Sequence, residues 1–469
     1  MIELITTITK RHKGNDMQKI RDNSTIRNII IIALCFLWTS SGYLSWLYNL
    51  MDYTSTTNAD ILSEVVGYIF QAMGIVIYSI FLKRNQEKFA GKIAFIITIV
   101  IDFAFMAAAI LAQGLTAVLL LGYCMNFMHG VVAGHYLFRL TNEVEWNRRG
   151  VTFGVGYGIA SIGSYLISKL DNSNFLKNNN VVLVYLFLIL FTIIFLNNKH
   201  DTGLVSEKEE SVSNSKKRNN VYLFGATIFM LSLVKSVGFY FPMADISSGV
   251  NLELSRSFYA IGLIAAGIIC DKNRKYGAIS CVVSLTFPFA MIALSDSVTV
   301  SIVVWSLAYV FSGFFVVYRT VLFCDIANDK KCLYLSAFGL CFGRIGDAIG
   351  SYGGIIVGDN TVILVAVSSV CYVITLLLFF TMYNKIYSTQ VKSELSEDEK
   401  LAAIIKEYNI SGRESEVMQW IMQGMTNIQI ADKMYISENT VKFHIRNILK
   451  KTNTDNKVAL ISLVKEVEK

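Results

Sequence analysis

From Asn28 to Tyr383 the chain alternates long apolar runs with short polar breaks. Each run is near 20 residues, the length a helix needs to cross a hydrocarbon core of about 30 Å. Twelve helical spans are predicted, the first six at 28–50, 61–82, 91–112, 114–140, 151–170 and 181–197. The second six are 221–241, 254–270, 277–295, 297–321, 332–357 and 362–383. The weakest boundaries are the Gln113-Gly114 turn and the break at Ser295 to Ser297. Past Tyr383 the runs give way to a polar linker, 384–400, and then to a segment, 401–469, whose apolar positions fall on one helical face at a time.

Composition agrees with this division. Hydrophobic residues make up 54% and charged residues 16%, against roughly 25% charged in an ordinary soluble protein. A wholly soluble fold and a disordered chain are both excluded. The net charge of +7 matters through its placement. The arm 1–27 and every second connection, including the middle loop 198–220 and the adjoining span ends with Lys92, Arg139 and Arg319, hold 24 Lys or Arg, whereas the alternate connections with their span ends hold three (Lys169, Lys177, Arg256). This positive-inside bias predicts a multi-pass protein of the cytoplasmic (inner) cell membrane with both termini in the cytoplasm. The first apolar run follows 27 mostly polar residues and is too long for a signal-peptide core. The eight cysteines form no C-x-x-C pair and read as small packing residues.

The loop 198–220 divides the spans six and six, into halves 28–197 and 221–383. Span 5 reads FGVGYGIASIGSYL from Phe153 and span 11 reads FGLCFGRIGDAIGSYGG from Phe338, a correspondence that suggests duplication. Closely spaced glycines let helix backbones approach one another. Two six-helix halves joined by a cytoplasmic loop resemble the major facilitator superfamily. Gly267, Asp271, Lys272 and Lys275 fit its G-x-x-x-D-[RK]-x-G-[RK] loop, with Arg274 where the second Gly would stand. The equivalent loop after span 2 has lost the Gly and the Asp, and the chain has only two prolines, Pro242 and Pro288. Both departures count against a working carrier, since carriers commonly use broken helices at the binding site.

Charges inside spans cost about 2.5–3.5 kcal/mol each at a helix centre, so they must face one another or a watery cavity. Lys235 lies in span 7, Arg344 and Asp347 in span 11 and Asp102 in span 3. Arg344 and Asp347 stand three apart and can pair on one helix face. Span 4 adds Asn126, His129 and His135, and span 1 adds Trp38, Ser41 and Tyr43. By the resemblance, spans 1, 4, 7 and 10 surround a central cavity flanked by 5 and 11. Trp38, Asn126, His129, Lys235, Trp305 and Arg344, with Asp347, would then line a small-molecule site, and Asp102 would sit on an outer helix. The alternative is that these groups only pair and register the helices.

In the C-terminal segment, Ser411-Gly412-Arg413-Glu414 is a capping box that opens a helix carrying Val417, Met418 and Ile421. Gly424 stops it. Thr426 caps a short second helix with Ile428, Ile430, Ala431 and Met434 on its inner face, and a turn of Tyr435, Ile436 and Ser437 leads to a third helix from Glu438. A fourth runs from about Asn456 to Val467, with Leu460, Ile461 and Val464 apolar. Two short helices, a tight turn and a basic third helix make a helix-turn-helix unit whose third helix fits the major groove of double-stranded DNA. Residues 396–469 carry 11 basic and 11 acidic residues, yet five of the basic ones and a single acid lie between Lys442 and Lys457. The charge is concentrated where phosphate contacts need it.

Arg413-Glu414 with Glu416-Val417, the run Gly424 to Ala431, the run Ile436 to His444 and Lys450-Lys451 resemble the LuxR/GerE helix-turn-helix family. The resemblance implies that Lys442, Phe443 and Arg446 face bases. It implies that Thr426, Asn427, Thr440, His444 and Lys450, with the neighbouring Lys451, contact or position phosphates, and that the fourth helix forms a homodimer on DNA. The fold class expected is all-α, a twelve-helix membrane bundle plus a four-helix DNA-binding domain. The function expected is a membrane-anchored one-component transcriptional regulator that senses an unidentified small molecule, with a secondary transporter bearing a regulatory tail as the alternative. No Walker loop, H-E-x-x-H or G-x-S-x-G motif is present, so no enzyme and no cofactor are expected.

Overall fold

The computed structural model describes residues 2–55, 58–59, 61–169, 175–198, 220–240, 257–286, 289, 298–328, 330–357, 360–387 and 397–465. They are helical with short connections and divide into two compact units, residues 1–386 and 387–469.

Among the described residues, helices fall in the predicted spans in order. In the first half they are α1 (Ile2–Met51), α2 (Gly67–Arg84), α3 (Lys92–Leu111), α4 (Leu115–Glu143), α5 (Arg149–Lys169) and α6 (Asn179–Asn198). In the second they are α7 (Val221–Tyr240), α8 (Tyr259–Lys272), α9 (Arg274–Val283), α10 (Val298–Ile326), α11 (Phe338–Val357) and α12 (Thr361–Tyr387). Among the described residues, nine helical segments are long and apolar enough to cross a membrane, and Val221–Val237 is a shorter apolar helix. The helices α8 and α9 are 14 and 10 residues long, shorter than spans 8 and 9. The missing parts of those spans, with Pro242, Pro288 and the Ser295–Ser297 break, lie outside the described residues, as does most of the central loop. The arm 1–27 is not a separate piece, because α1 runs unbroken from Ile2 into the first span. The Gln113-Gly114 turn is real: Gly114 takes φ +81°, which glycine adopts without a Cβ clash.

The same pairings recur in both halves. Helix α1 packs on α5 as α7 packs on α11, α2 on α4 as α8 on α10, and α3 on α4 as α9 on α10. The halves meet where α5 lies against α8 and α2 against α11, again a matched pair. This repeat extends the short sequence correspondence of spans 5 and 11 to the first five helices of each half. The glycines make the close crossings possible: a Cβ on Gly154 would strike the Leu263 carbonyl, and one on Gly346 the Phe229 carbonyl.

The second unit contains α13 (Glu397–Glu407), α14 (Gly412–Met422), α15 (Asn427–Met434), α16 (Glu438–Thr452) and α17 (Lys457–Lys465). It has its own core, in which Val417, Met418, Ile421, Ile430, Val441, Ile448 and Leu460 are buried. Two predicted details change. The linker 384–400 is shorter, since α12 continues through Tyr387 and α13 begins at Glu397, adding a fifth helix whose Leu401 and Ile404 join the core. Ile428 is not on the inner face but 61% exposed, because the buried stripe of α15 is set by Ile430 and Ala431.

Candidate ligand site and DNA-binding surface

In the bundle, Asp347 is the hub of the charged interior. It does not pair with its helix neighbour Arg344. The Lys235 ammonium on α7 stands 3.2 Å from its Oδ1, and Arg319 on α10 stands 3.7 Å from its Oδ2. Ser236 donates to the same Oδ1 at 2.7 Å, and Ser232 donates to it as well. Arg344 instead lies over the ring of Tyr68, 4.2 Å from its centroid, and thereby reaches across to α2 of the other half. Helical spacing allows an i,i+3 pair, but here tertiary neighbours on α7 and α10 claim the carboxylate.

Arg319 corrects the charge map drawn from the sequence. It was counted with the basic cytoplasmic connections, yet it lies within α10, 4% exposed. Its place inside the apolar run VVYRTV was the available signal. Asp102 on α3 is fully buried, 3.6 Å from the His129 Nε2 on α4. Among the described residues neither Asp102 oxygen has a hydrogen-bond partner. Close by in sequence, Asn126 accepts from Gln71 at 3.1 Å and donates to the Gly122 carbonyl at 2.9 Å. Trp38 is fully buried, and Trp305 packs on Tyr309 with centroids 5.8 Å apart. The predicted residues thus fall into a Lys235–Asp347–Arg319 cluster with Arg344 beside it, an Asp102–His129 pair, and separately buried indoles.

Aromatic rings missed in the sequence link the halves. Phe36 on α1 stacks on Tyr157 of α5 with centroids 3.8 Å apart, and Tyr157 meets Tyr259 of α8 at 5.4 Å. Tyr259 continues to Tyr309 of α10 at 6.2 Å. Aromatics are frequent enough in every span that no spacing singles these out.

At the ends of the bundle that carry the basic connections, a second network joins the halves. Asp271 accepts from the backbone amides of Gly150 and Val151 at 2.8 and 2.7 Å, capping the start of α5. Arg274 donates to Asp271 at 2.9 Å and to Asp325 at 2.8 Å, and Arg149 donates to Asp325 at 3.2 Å. Arg274 therefore bridges two carboxylates.

The helix-turn-helix is shaped by local caps. Ser411 N–H donates to Glu414 at 2.8 Å, Thr426 N–H donates to Gln429 at 2.9 Å, and Thr440 N–H donates to the Ser437 hydroxyl at 3.2 Å. Tyr435, at φ +53°, ends α15 in the left-handed region. With Val441, Ile445 and Ile448 turned into the core, Lys442, Phe443, Arg446 and Lys450 stand on the exposed face of α16. Thr426 is exposed, and Asn427, Thr440 and His444 are half-buried. Lys442 pairs with Glu438 at 2.8 Å. Asn427 is held by Lys457 at 2.6 Å. Lys451 points back into its own domain, 2.6 Å from Glu414 and 3.1 Å from the Asn409 carbonyl. Burial pushes the Glu414 carboxyl up, but Lys451 and the Ser411 amide outweigh it and hold the group below the usual carboxylate range.

Residues 409–464 match the family described as "Bacterial regulatory proteins, luxR family". They form a LuxR-family helix-turn-helix domain. The LuxR domain is 40% identical over 77 residues to the nitrate/nitrite response regulator NarP of Escherichia coli, covering 16% of this chain and 36% of that one. It is likewise 40% identical over 77 residues to the E. coli regulatory protein SdiA, covering 14% of this chain and 32% of that one. The chain therefore spans about a third of the length of these relatives. The bundle is similar in fold to the E. coli fucose:proton symporter FucP, with a TM-score of 0.55 and 14% identity, over 76% of this chain and 98% of that one. A second structure of FucP, described as a major facilitator superfamily transporter in the outward conformation, matches with a TM-score of 0.54 and 12% identity, over 76% and 99% of the two chains. The chain joins a major-facilitator-like membrane fold to a LuxR-type DNA-binding domain.

Proposed function

We propose that this chain is a one-component transcriptional regulator held in the cytoplasmic membrane. Its bundle senses a small molecule and its LuxR domain binds promoter DNA on the cytoplasmic side. The observation that carries the reading is the fusion of a LuxR-family domain to a bundle whose interior holds several costly charges. Lys442, Phe443 and Arg446 read bases. Thr426, Asn427, Thr440, His444 and Lys450 position phosphates, and α17 pairs two copies on DNA. Lys451 acts from behind α16, through Glu414. The small molecule changes promoter occupancy by favouring one arrangement of the halves, to the extent that its affinity differs between them. The reading assigns no catalytic step. Chromatin precipitation of the wild type and of Arg446→Ala tests it: discrete promoters should be recovered with the first and lost with the second, at equal protein levels. Equal recovery from both would refute the assignment.

The second reading, a secondary transporter with a regulatory tail, is favoured by the Asp271–Arg274–Asp325–Arg149 network across the halves. It requires substrate flux that survives removal of residues 396–469, whereas the sensor reading requires ligand-dependent transcription with little flux.

A further inference from the structure

Two guanidinium groups of the second half, the buried Arg319 and the half-buried Arg344, are left short of acceptors. Asp347 supplies one negative charge to three cations, and its Oδ1 is already taken by Ser232, Ser236 and Lys235. Arg319 stands 3.7 Å from Oδ2, beyond hydrogen-bond distance. Among the described residues its Nε and Nη1 are buried without a hydrogen-bond partner, as is the Nε of Arg344. An unmet buried donor on a charged group costs several kcal/mol, so this is a site for an acceptor rather than a finished core. The next acid, Glu64, sits one helical turn from Tyr68, and counting it still leaves an excess of positive charge over Asp347 and Glu64 together.

What surrounds the two arginines is aromatic. Tyr68, Tyr136 and Tyr157 of the first half lie within electrostatic reach of Arg344, and Tyr259 of the second half lies within reach of both arginines. Phe36 stacks on Tyr157 and packs 5.2 Å from Tyr136. A guanidinium pairs best with a planar, two-oxygen acceptor. A cation would be repelled, and a neutral polar molecule would leave the charge excess unanswered. Flat rings lining the remainder favour a flat body over a branched or sugar-like one.

We propose that the membrane bundle binds a small planar organic carboxylate, its carboxylate between Arg319 and Arg344 and its body among Phe36, Tyr136, Tyr157 and Tyr259. This names the chemistry of the molecule sensed and so rests on the sensor reading for its biological consequence, though not for binding itself. Because the arginines belong to one half and Phe36, Tyr136 and Tyr157 to the other, the bound molecule touches both.

The test uses the purified full-length chain in lipid nanodiscs, with benzoate as probe and benzamide and inorganic phosphate as controls. Thermal stability and intrinsic tryptophan fluorescence are followed. Benzoate should give a saturable stabilisation, benzamide and phosphate little or none. Arg319→Gln and Arg344→Gln should each weaken benzoate by about tenfold or more, the value of a charge-assisted hydrogen bond. If either variant fails to fold, the wild-type comparison of benzoate with benzamide decides alone. An equal response to benzamide, a response to phosphate alone, or no response to benzoate at millimolar concentration overturns the proposal. Promoter occupancy is read separately. Benzoate binding without any change in occupancy removes the sensor reading and leaves the site, whereas occupancy changes without carboxylate binding do the reverse.

Discussion

Lys451 separates two roles that a basic residue on a recognition helix can play. Replacing it with methionine keeps the side-chain length and removes the ammonium that lies 2.6 Å from Glu414. A charge-assisted hydrogen bond contributes about 1.5–3 kcal/mol. Lys451 is 37% exposed and Glu414 only 6%, so solvent screening on one side lowers the net loss to about 1–2 kcal/mol. Urea unfolding of residues 387–469, which form a compact unit with their own core, should show that loss as a lower midpoint at unchanged slope. The effect has a defined pH window. The folded-state value of Glu414 is depressed, so its contribution is full above the unfolded carboxyl value of about 4.3. It is lost as pH falls through the folded value, and wild type and Lys451→Met should converge there. Lys450→Met, on the exposed face, should leave the midpoint alone and reduce the salt dependence of binding to DNA by about one counterion. If Lys451→Met keeps the wild-type midpoint and lowers the salt slope instead, the ammonium serves DNA and the structural assignment fails.

Other outcomes follow from the bundle. Gly346→Val should abolish folded protein on detergent size exclusion, since its Cβ meets the Phe229 carbonyl. Gly353→Ala, with open space around it, should match or exceed the wild-type melting temperature. Asp347→Asn leaves Lys235 and Arg319 without their counter-charge, and thermal unfolding in nanodiscs should show a loss of about 3–5 kcal/mol. Arg274→Gln removes the guanidinium that bridges Asp325 and Asp271. Maleimide labelling of the buried Cys270 and Cys324 should become faster as the halves part at that end, and unchanged rates would mean the network does not hold them.

How much was legible in advance depended on whether the cause was local. The helix-turn-helix could be read almost residue by residue, because caps such as Thr426 with Gln429 and Ser437 with Thr440 act within one turn. Hydropathy placed the long spans for the same reason. Partner choice inside the bundle was not local. Arg344 and Asp347 share a helix face, yet Asp347 is claimed by α7 and α10, whose positions no spacing on α11 reveals. Arg319 was misplaced because a basic residue near a predicted span end looks like a loop residue until the helix is seen to continue to Ile326. Ile428 misled in the opposite way, an apolar residue that points outward from a short helix.

The two seams between the halves are built differently, and this has a mechanical consequence. Where α5 crosses α8, Gly150, Gly154 and Gly267 bring main chain onto main chain. Along that stretch the backbones can slip without a rotamer change, once the Asp271 cap on Gly150 and Val151 at its end lets go. Where α2 crosses α11, the Arg344–Tyr68 contact and the Cys341 thiol against the Ala72 carbonyl engage like teeth. Motion of one half against the other is thereby hinged on the toothed side and latched on the glycine side, where Asp271 caps α5 and Arg274 ties Asp271 to Asp325. A molecule seated at Arg344 acts at the axle, where a small displacement turns the whole wheel.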